Sequence, residues 1–262
     1  MPWRSDTFTK TDPDVPAGFF ATEAGGLRWL DEAHGARIVR VRTVSETALE
    51  LERIDEAMPA EPAAVALGRG LAQMHAAGAE CFGALPPGAE QYYFGPMSHP
   101  LALPHAPSRR FGEFYAAARV EPVTRWCREQ GAIDGALADG VARVCDDLRG
   151  GRWDLDAQGR PVLPARVHGD LWAGNVLWAA EEAVLIDPAA HGGHPESDLA
   201  MLALFGAPHL EKILEGYREI RPPAEDRADR VGLHQLFPLL VHALLFGGGY
   251  AASARSAVGE LV

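Results

Sequence analysis

The stretch from Val167 to Asp187 constrains this chain more than any other. It holds two short apolar runs, Val176-Leu177-Trp178 and Ala183-Val184-Leu185-Ile186, separated by Ala179-Ala180-Glu181-Glu182. Each run is too short for a helix, and the small and acidic residues between them suffice for a tight turn. The two runs are therefore expected to pair as a hairpin. Asn175 stands just before the first strand and Asp187 just after the second, so residues twelve positions apart become neighbours at the open end.

Immediately upstream the chain reads Val167-His168-Gly169-Asp170-Leu171-Trp172-Ala173-Gly174-Asn175. His168, Asp170 and Asn175 have the spacing H-x-D-x-x-x-x-N of the kinase catalytic loop, and Asp187 takes the place of the acid in the kinase D-F-G motif. Phosphoryl transfer asks little covalent help from a protein; it needs positioning and charge neutralisation. Asp170 would accept the proton of an attacking hydroxyl. Asn175 offers an amide oxygen and Asp187 a carboxylate, the hard oxygen donors that Mg²⁺ takes together with phosphates. Alone, H-x-D-x-x-x-x-N could be a turn with a polar cap; the strand, turn, strand and acid that follow make it specific.

The first fifty-odd residues read as a small α+β unit. Phe8-Thr9-Lys10 suits a short strand, and Phe19 to Glu32 a helix with Phe20, Leu27 and Leu30 apolar and Glu23 in its first turns. Lys10 and Glu23 fit the strand-lysine and helix-glutamate pair of kinases, with Lys10 on the ATP phosphates. Arg37 to Val44 and Thr47 to Ile54 read as two half-buried strands. Glu50 to Ile54, centred on Glu52, would be a hinge facing adenine. Met58-Pro59-Ala60-Glu61-Pro62 looks like a linker. This divides the chain into a nucleotide-binding lobe, 1–58, and a catalytic and substrate-binding lobe, 59–262.

Beyond the linker, Ala63 to Ala77 is expected to be helical, with Leu67, Leu71 and Met74 on one face. Gly83 to Pro107 is rich in glycine and proline and reads as one long irregular segment. Helices follow at Phe111 to Gln130 and Gly135 to Leu148, then a polar turn at Asp154 to Gly159. Leu233 to Phe246 is apolar nearly all round, as a buried helix is.

Composition removes other classes. The 262 residues carry a formal charge of −12, against a general nucleic-acid binder, whose phosphate contacts need clustered Lys and Arg. Cys81, Cys127 and Cys145 form no metal-binding spacing and read as free thiols in a reducing compartment. MPWRSDTFTK lacks the apolar core of a signal peptide, and no run is long enough to span a membrane, so a cytoplasmic protein is expected.

The segment His168-Gly169-Asp170-Leu171-Trp172-Ala173-Gly174-Asn175-Val176 closely resembles the signature of the fructosamine kinase (ketosamine-3-kinase) family. Aminoglycoside phosphotransferases and choline kinases share H-G-D and the Asn but usually lack the Trp. Ile186 to Gly206 and Gln235 to Tyr250 are also similar to that family, with weaker similarity over Phe8 to Leu30, Leu67 to His75 and Phe111 to Val123. The resemblance implies a protein-kinase-like two-lobed α+β fold with a larger, mainly helical C-terminal lobe. It implies ATP- and Mg²⁺-dependent phosphorylation of a fructosamine or ribulosamine at its third carbon, which frees the amine and repairs glycated protein. The alternatives are a phosphotransferase of the same fold acting on an aminoglycoside or another hydroxyl compound, and a catalytically weakened nucleotide-binding relative. The family's pattern places two strands and a phosphate-covering loop before the lysine strand; only nine residues precede Lys10, none of them glycine. Either the true start lies upstream of Met1 or the lid hairpin is absent, and in the second case weakened ATP binding is the expected consequence.

Other residues have double readings. Trp172 either stacks on substrate or fills core space. His75 fits a hydrogen-bonded core histidine. Asp198, at the start of an apolar helix, fits a helix cap. His191 and His194, among glycine and proline, fit a loop lining the cleft, His191 towards substrate. Gly247-Gly248-Gly249 fits a closely packed turn, because no lysine or helix start of a phosphate loop follows.

Overall fold

The computed structural model describes residues 6–156, 159–222 and 227–262. The reading of the extreme N-terminus at 1–5 and the middle of the expected turn at 157–158 lie outside the described residues. The N-terminal unit comprises β1 (Thr7–Thr11), α1 (Phe19–Asp31), β2 (Arg37–Ile38), β3 (Val41–Val44) and β4 (Ala48–Glu52). Next come α2 (Glu61–Ala76), β5 (Tyr92–Phe94), β6 (Leu101–Leu103), α3 (Phe111–Tyr115), a π-helical turn (Ala116–Val120), α4 (Glu121–Glu129) and α5 (Gly135–Gly150). The chain then forms β7 (Ala165–Val167), β8 (Val176–Trp178), β9 (Ala183–Leu185) and β10 (His191–Gly193). It ends in α6 (Pro195–Leu204), α7 (Leu210–Ile220), α8 (Arg227–Phe246) and α9 (Tyr250–Leu261). The expected α+β class, a small mixed unit followed by a mainly helical one, is what forms.

β4 is the centre of a three-stranded antiparallel sheet between β1 and β3. α1 covers it because Phe20, Ala24, Leu27 and Leu30 recur every three or four residues and are all buried. Glu23 falls in the same stripe, so the helix that packs the sheet also buries a carboxylate beside β1. The run Arg37 to Val44, expected as one strand, is two. Arg37–Ile38 pairs in parallel with β9, while Val41–Val44 joins β4. Alternating polarity shows that a segment is extended but not which neighbour each half will meet. The break lets one extended segment tie the N-terminal sheet to the hairpin that carries Asp187.

That hairpin forms as expected, with Val176 opposite Leu185 and Trp178 opposite Ala183. Three other readings need correction. Gly83 to Pro107 contains the hairpin β5–β6. The helix expected over Phe111 to Gln130 is interrupted by the π turn. The triple glycine does turn, Gly247 and Gly248 having positive φ, but among the described residues nothing packs closely on it, and a helix, α9, does start directly after it.

The core falls into two clusters. One joins α1, β2 and β4 to α2, the β8–β9 hairpin and α7, and so draws on both sides of residue 58. The other is built from the helices α3 to α5, α8 and α9. α2 and α7 approach backbone to backbone: a Cβ on Gly68 would collide with the Ile213 carbonyl, and one on Gly216 with that of Val65. Cys127 and Cys145 are buried thiols, and all three cysteines are unpaired. Among the described residues, no helix is long and apolar enough to cross a membrane.

Candidate active site

The loop from His168 to Asn175 leaves β7 and enters β8. Its first two backbone N–H groups donate to one buried carboxylate: His168 to Asp198 Oδ2 at 2.8 Å and Gly169 to Oδ1 at 2.9 Å. His75 Nε2 lies 3.1 Å from the same Oδ2, and His75 Nδ1 lies 2.9 Å from the Tyr217 hydroxyl. Asp198 is therefore not the cap expected from its place near the start of α6. The cap is His194, whose Nδ1 accepts the Glu196 N–H. Burial alone would raise the Asp198 carboxyl; the hydrogen bond and charge from His75, with the loop amide, outweigh it and hold it below the usual carboxylate range. His75 is the hydrogen-bonded core histidine the sequence suggested.

His168 is buried behind the loop. Its Nε2 lies 2.8 Å from the Ile186 carbonyl, which can only accept, so the ring proton sits on Nε2. Nδ1 is then free to accept the N–H of Asp170 at 3.3 Å. Burial depresses the His168 pKa, in keeping with this neutral ring. Gly169 has φ of +81°, and a Cβ there would strike the Ala189 carbonyl, so the turn that aims Asp170 needs glycine.

At the end of this loop the sequence-expected residues converge. Asn175 Nδ2 donates to the Asp170 carbonyl at 2.7 Å and to Asp170 Oδ2 at 3.1 Å. Ile186 N–H donates to the Asn175 carbonyl at 3.1 Å, which extends the hairpin pairing and brings Asp187 alongside. Asp187 has φ of +55°, a left-handed conformation uncommon for a residue with a Cβ and frequent at functional positions. From the opposite wall, Lys10 Nζ lies 2.6 Å from both Glu23 Oε1 and Asp187 Oδ1. Burial works against the Lys10 charge, but the two carboxylates prevail and hold its pKa above the usual value. Among the described residues no cation pairs with Asp170. Burial pushes its pKa up to about 7, against the Asn175 hydrogen bond and with some help from Asp187.

These groups face a cleft of about 290 Å³ lined by Lys10, Glu23, Asp170, Trp172, Asn175 and Asp187 together with apolar and aromatic side chains. Trp172 is 41% exposed and leans edge-on to Phe205, so it is a wall of the cleft more than core filling. Two expected residues stand apart. Glu52 accepts from the Arg37 guanidinium at 2.6 Å and from the Arg40 N–H at 2.8 Å, and it does not line the cleft. His191 is in β10, not a loop; it is buried between Tyr92 and Phe114, and its Nδ1 donates to the Ala189 carbonyl.

The donor set fits a magnesium–nucleotide complex. The Asn175 amide nitrogen is committed to Asp170, which leaves its oxygen, and one Asp187 oxygen is not used by Lys10. Two hard oxygen donors beside an ammonium would suit a small divalent cation accompanying a phosphate group. An uncharged-to-charged carboxyl with pKa near 7, beside them, suits proton transfer from a hydroxyl. Sequence reasoning missed Asp198 as the anchor of the loop; its signal was an acid set directly against the apolar run Leu199 to Leu204.

A family model described as fructosamine kinase matches residues 3–262. A Thermus thermophilus protein described as a probable ketoamine kinase is 33% identical over 262 residues, covering 98% of this chain and 88% of its own. Among solved structures, a Thermobifida fusca protein with a provisional fructosamine-3-kinase assignment superposes with a TM-score of 0.87 at 43% identity, covering 97% of this chain and 85% of its own. A gentamicin complex of the phosphotransferase APH(2″)-IIa shares the fold alone, at TM-score 0.59 and 14% identity over 97% of this chain and 84% of its own.

Proposed function

The chain belongs to the fructosamine kinase family, and from that premise we propose that it moves the γ-phosphoryl group of ATP to the 3-hydroxyl of a ketosamine. At the coarser level it is a phosphotransferase acting on an alcohol group, a ketosamine kinase with the protein-kinase-like fold. The observation that carries the finer reading is the convergence of Asp170, Asn175 and Asp187 on one hairpin end opposite Lys10 and Glu23.

In this reading Asp170 orients the acceptor hydroxyl and takes its proton as the oxygen forms its bond to phosphorus and ADP leaves. Its raised pKa matches a base working near neutrality. Lys10 holds phosphate oxygens while Glu23 fixes the lysine in place. Asn175 and Asp187 would hold magnesium, which supplies neutralisation of the phosphate charge. Residues 1–58 act as the nucleotide-binding lobe and 59–262 as the catalytic and substrate-binding lobe. The backbone of Glu50 to Ile54 is the proposed adenine-facing hinge, while the Glu52 side chain is held by Arg37 and takes no part in contacting the nucleotide. Trp172, exposed on the cleft wall, offers an aromatic face to the sugar. The third carbon is proposed because a phosphate there makes the adduct labile, so the reaction frees an amine and repairs glycated protein in the cytoplasm.

The test is phosphoryl transfer from Mg-ATP to fructosyl-lysine and ribulosyl-lysine, with the product's phosphate located by phosphorus–proton NMR. Transfer to the 3-hydroxyl is expected. Transfer to an aminoglycoside and to no ketosamine would overturn the substrate class.

A further inference from the structure

Beside the catalytic loop, sharing Phe94 with the wall of the main cleft, lies a second, small cavity of about 30 Å³. Its polar lining includes Arg119, His194, Ser197 and His234, set among Phe111 and Phe114. The two histidines and Arg119 are each at most 3% exposed. Arg119 Nε, His194 Nε2 and His234 Nε2 are all buried without a hydrogen-bond partner. Unpartnered buried polar atoms are uncommon and costly, and three on one cavity imply that something occupies it.

The chemistry of these atoms decides the sign of the occupant. Arg119 can only donate. It comes from the π turn, a device that re-aims side chains and is frequent at functional sites. Its guanidinium stacks 3.7 Å from the Tyr92 ring centroid and 4.6 Å from that of Phe114, and Nη1 donates to its own neighbour, the Ala118 carbonyl. Among the described residues no carboxylate pairs with it, so the buried positive charge is balanced only by aromatic faces. His194 also donates: its Nδ1 accepts the Glu196 N–H at 3.1 Å, which puts the ring proton of the neutral histidine on Nε2. His234 touches Ser197 Oγ through Nδ1 at 3.0 Å, and its Nε2 lies 3.7 Å from Glu196 Oε2, beyond hydrogen-bond reach of a carboxylate that Arg230 already neutralises, so the donors left to hold an occupant are Arg119 and His194.

A metal is the obvious rival, because His194, Glu196 and His234 offer ligand atoms within 4.8 Å of one another. It fails on two counts. A metal needs a lone pair on His194 Nε2, where the proton is held. Both Glu196 oxygens are also engaged by Arg230, at 2.7 and 2.9 Å. A cavity that donates, next to an unbalanced guanidinium, is built for an acceptor with negative charge. Its size admits one or two water-sized particles.

We propose that this cavity is a binding site for a small monovalent anion of chloride size, held by Arg119 and His194, which braces the catalytic loop. The bracing follows from position: Gly169 forms part of the cavity wall, and Ser197 precedes the Asp198 that holds the loop amides.

The test is diffraction from crystals of the full chain grown in bromide, with data at the bromine absorption edge. An anomalous peak within hydrogen-bond distance of Arg119 Nε is expected. In parallel, Tm is measured in sodium chloride, bromide and gluconate at equal ionic strength. Tm should be higher by a few degrees in the halides, since a ligand that binds only the folded state stabilises it by mass action. Arg119→Met, if it folds, should lose that difference. Water alone in the cavity, an anomalous signal at the zinc edge, or a Tm that follows ionic strength whichever anion is present would overturn the proposal.

Discussion

On the C-terminal side of the cleft, the loop from His168 to Asn175 is fixed by a set of buried and part-buried hydrogen bonds: two amides to Asp198, one to His168, and the Asn175 amide to Asp170. On the N-terminal side, one ammonium, Lys10, divides itself between Glu23 and Asp187, the latter 40% exposed. The first wall is over-determined, because each polar group has a partner in a low-dielectric interior where losing it is expensive. The second can be re-partnered: a phosphate can replace Asp187 at Lys10 without breaking the fold. The contrast separates what must already be in place before substrate arrives from what a ligand can rearrange.

The comparison is most severely tested at Asp170. Asp170→Asn keeps the side chain's size and removes the base. Turnover should fall by roughly 10²–10⁴-fold, the usual worth of positioned acid–base help, while nucleotide affinity changes little. Rapid-quench single-turnover kinetics and calorimetric titration of Mg-ATP separate the two. A variant with undiminished turnover would remove Asp170 from the base role and leave the rigid wall without a chemical purpose.

Next is the anchor. Asp198→Ala strands two loop amides and His75 in the interior. Breaking a buried, hydrogen-bonded charge of this kind costs about 3–5 kcal/mol. Urea unfolding should show the loss, and Asp198→Asn, which can still accept from one amide, should recover part of it. If Asp198→Ala unfolds at the same urea concentration as the parent chain, the loop is not held from behind.

Lys10→Met probes the adaptable wall and should act in the opposite way. It removes charge-assisted hydrogen bonds worth about 1.5–3 kcal/mol in the nucleotide complex, so Mg-ATP should bind roughly 10–100-fold more weakly. Stability without ligand should fall less than for Asp198→Ala, because Glu23, left without its partner, can take up a proton, its pKa already being raised by burial. Equal losses of stability in the two variants would erase the distinction between the walls.

The same contrast governs what could be read from sequence. Asp170, Asn175 and Asp187 were legible because their geometry is local: a short loop and a tight hairpin place them with no reference to the rest of the chain. Lys10 and Glu23 were legible because a strand followed by an amphipathic helix has few ways to pack. His75 was legible as a hydrogen-bonded core histidine but its partners Asp198 and Tyr217 were not, since these bonds join α2 to α6 and α7, and nothing in a linear pattern announces a contact between residues more than a hundred positions apart. The split of Arg37 to Val44 escaped for the same reason, because a period of two does not name the partner strand. Glu52 was placed by analogy with a hinge. Its carboxylate is instead engaged by Arg37, a pairing that depends on how β2 crosses to β9.

The smallest expected effect concerns pH, and it follows from the absence, among the described residues, of a cation at Asp170. In the folded chain its pKa is raised to about 7 by burial, whereas in the unfolded chain it takes an ordinary carboxylate value of about 3.9. Between these values the folded state holds a proton that the unfolded state lacks. Stability from this group is thus fully present below about pH 4 and is lost as pH rises through about 7. Above that, the rigid wall carries an uncompensated carboxylate, a cost of roughly 1–3 kcal/mol after partial solvation is allowed for. Catalysis has the opposite sign, since a base must be ionised: kcat/KM should climb with unit slope up to about pH 7 and then level off. Asp170→Asn should accordingly be more stable than the parent chain at pH 8 and lose most of that advantage by pH 5. Urea titrations at the two pH values give both numbers. An advantage that persists unchanged at pH 5 would mean that it comes from the amide's new hydrogen bonds, and that Asp170 is not a strained carboxylate.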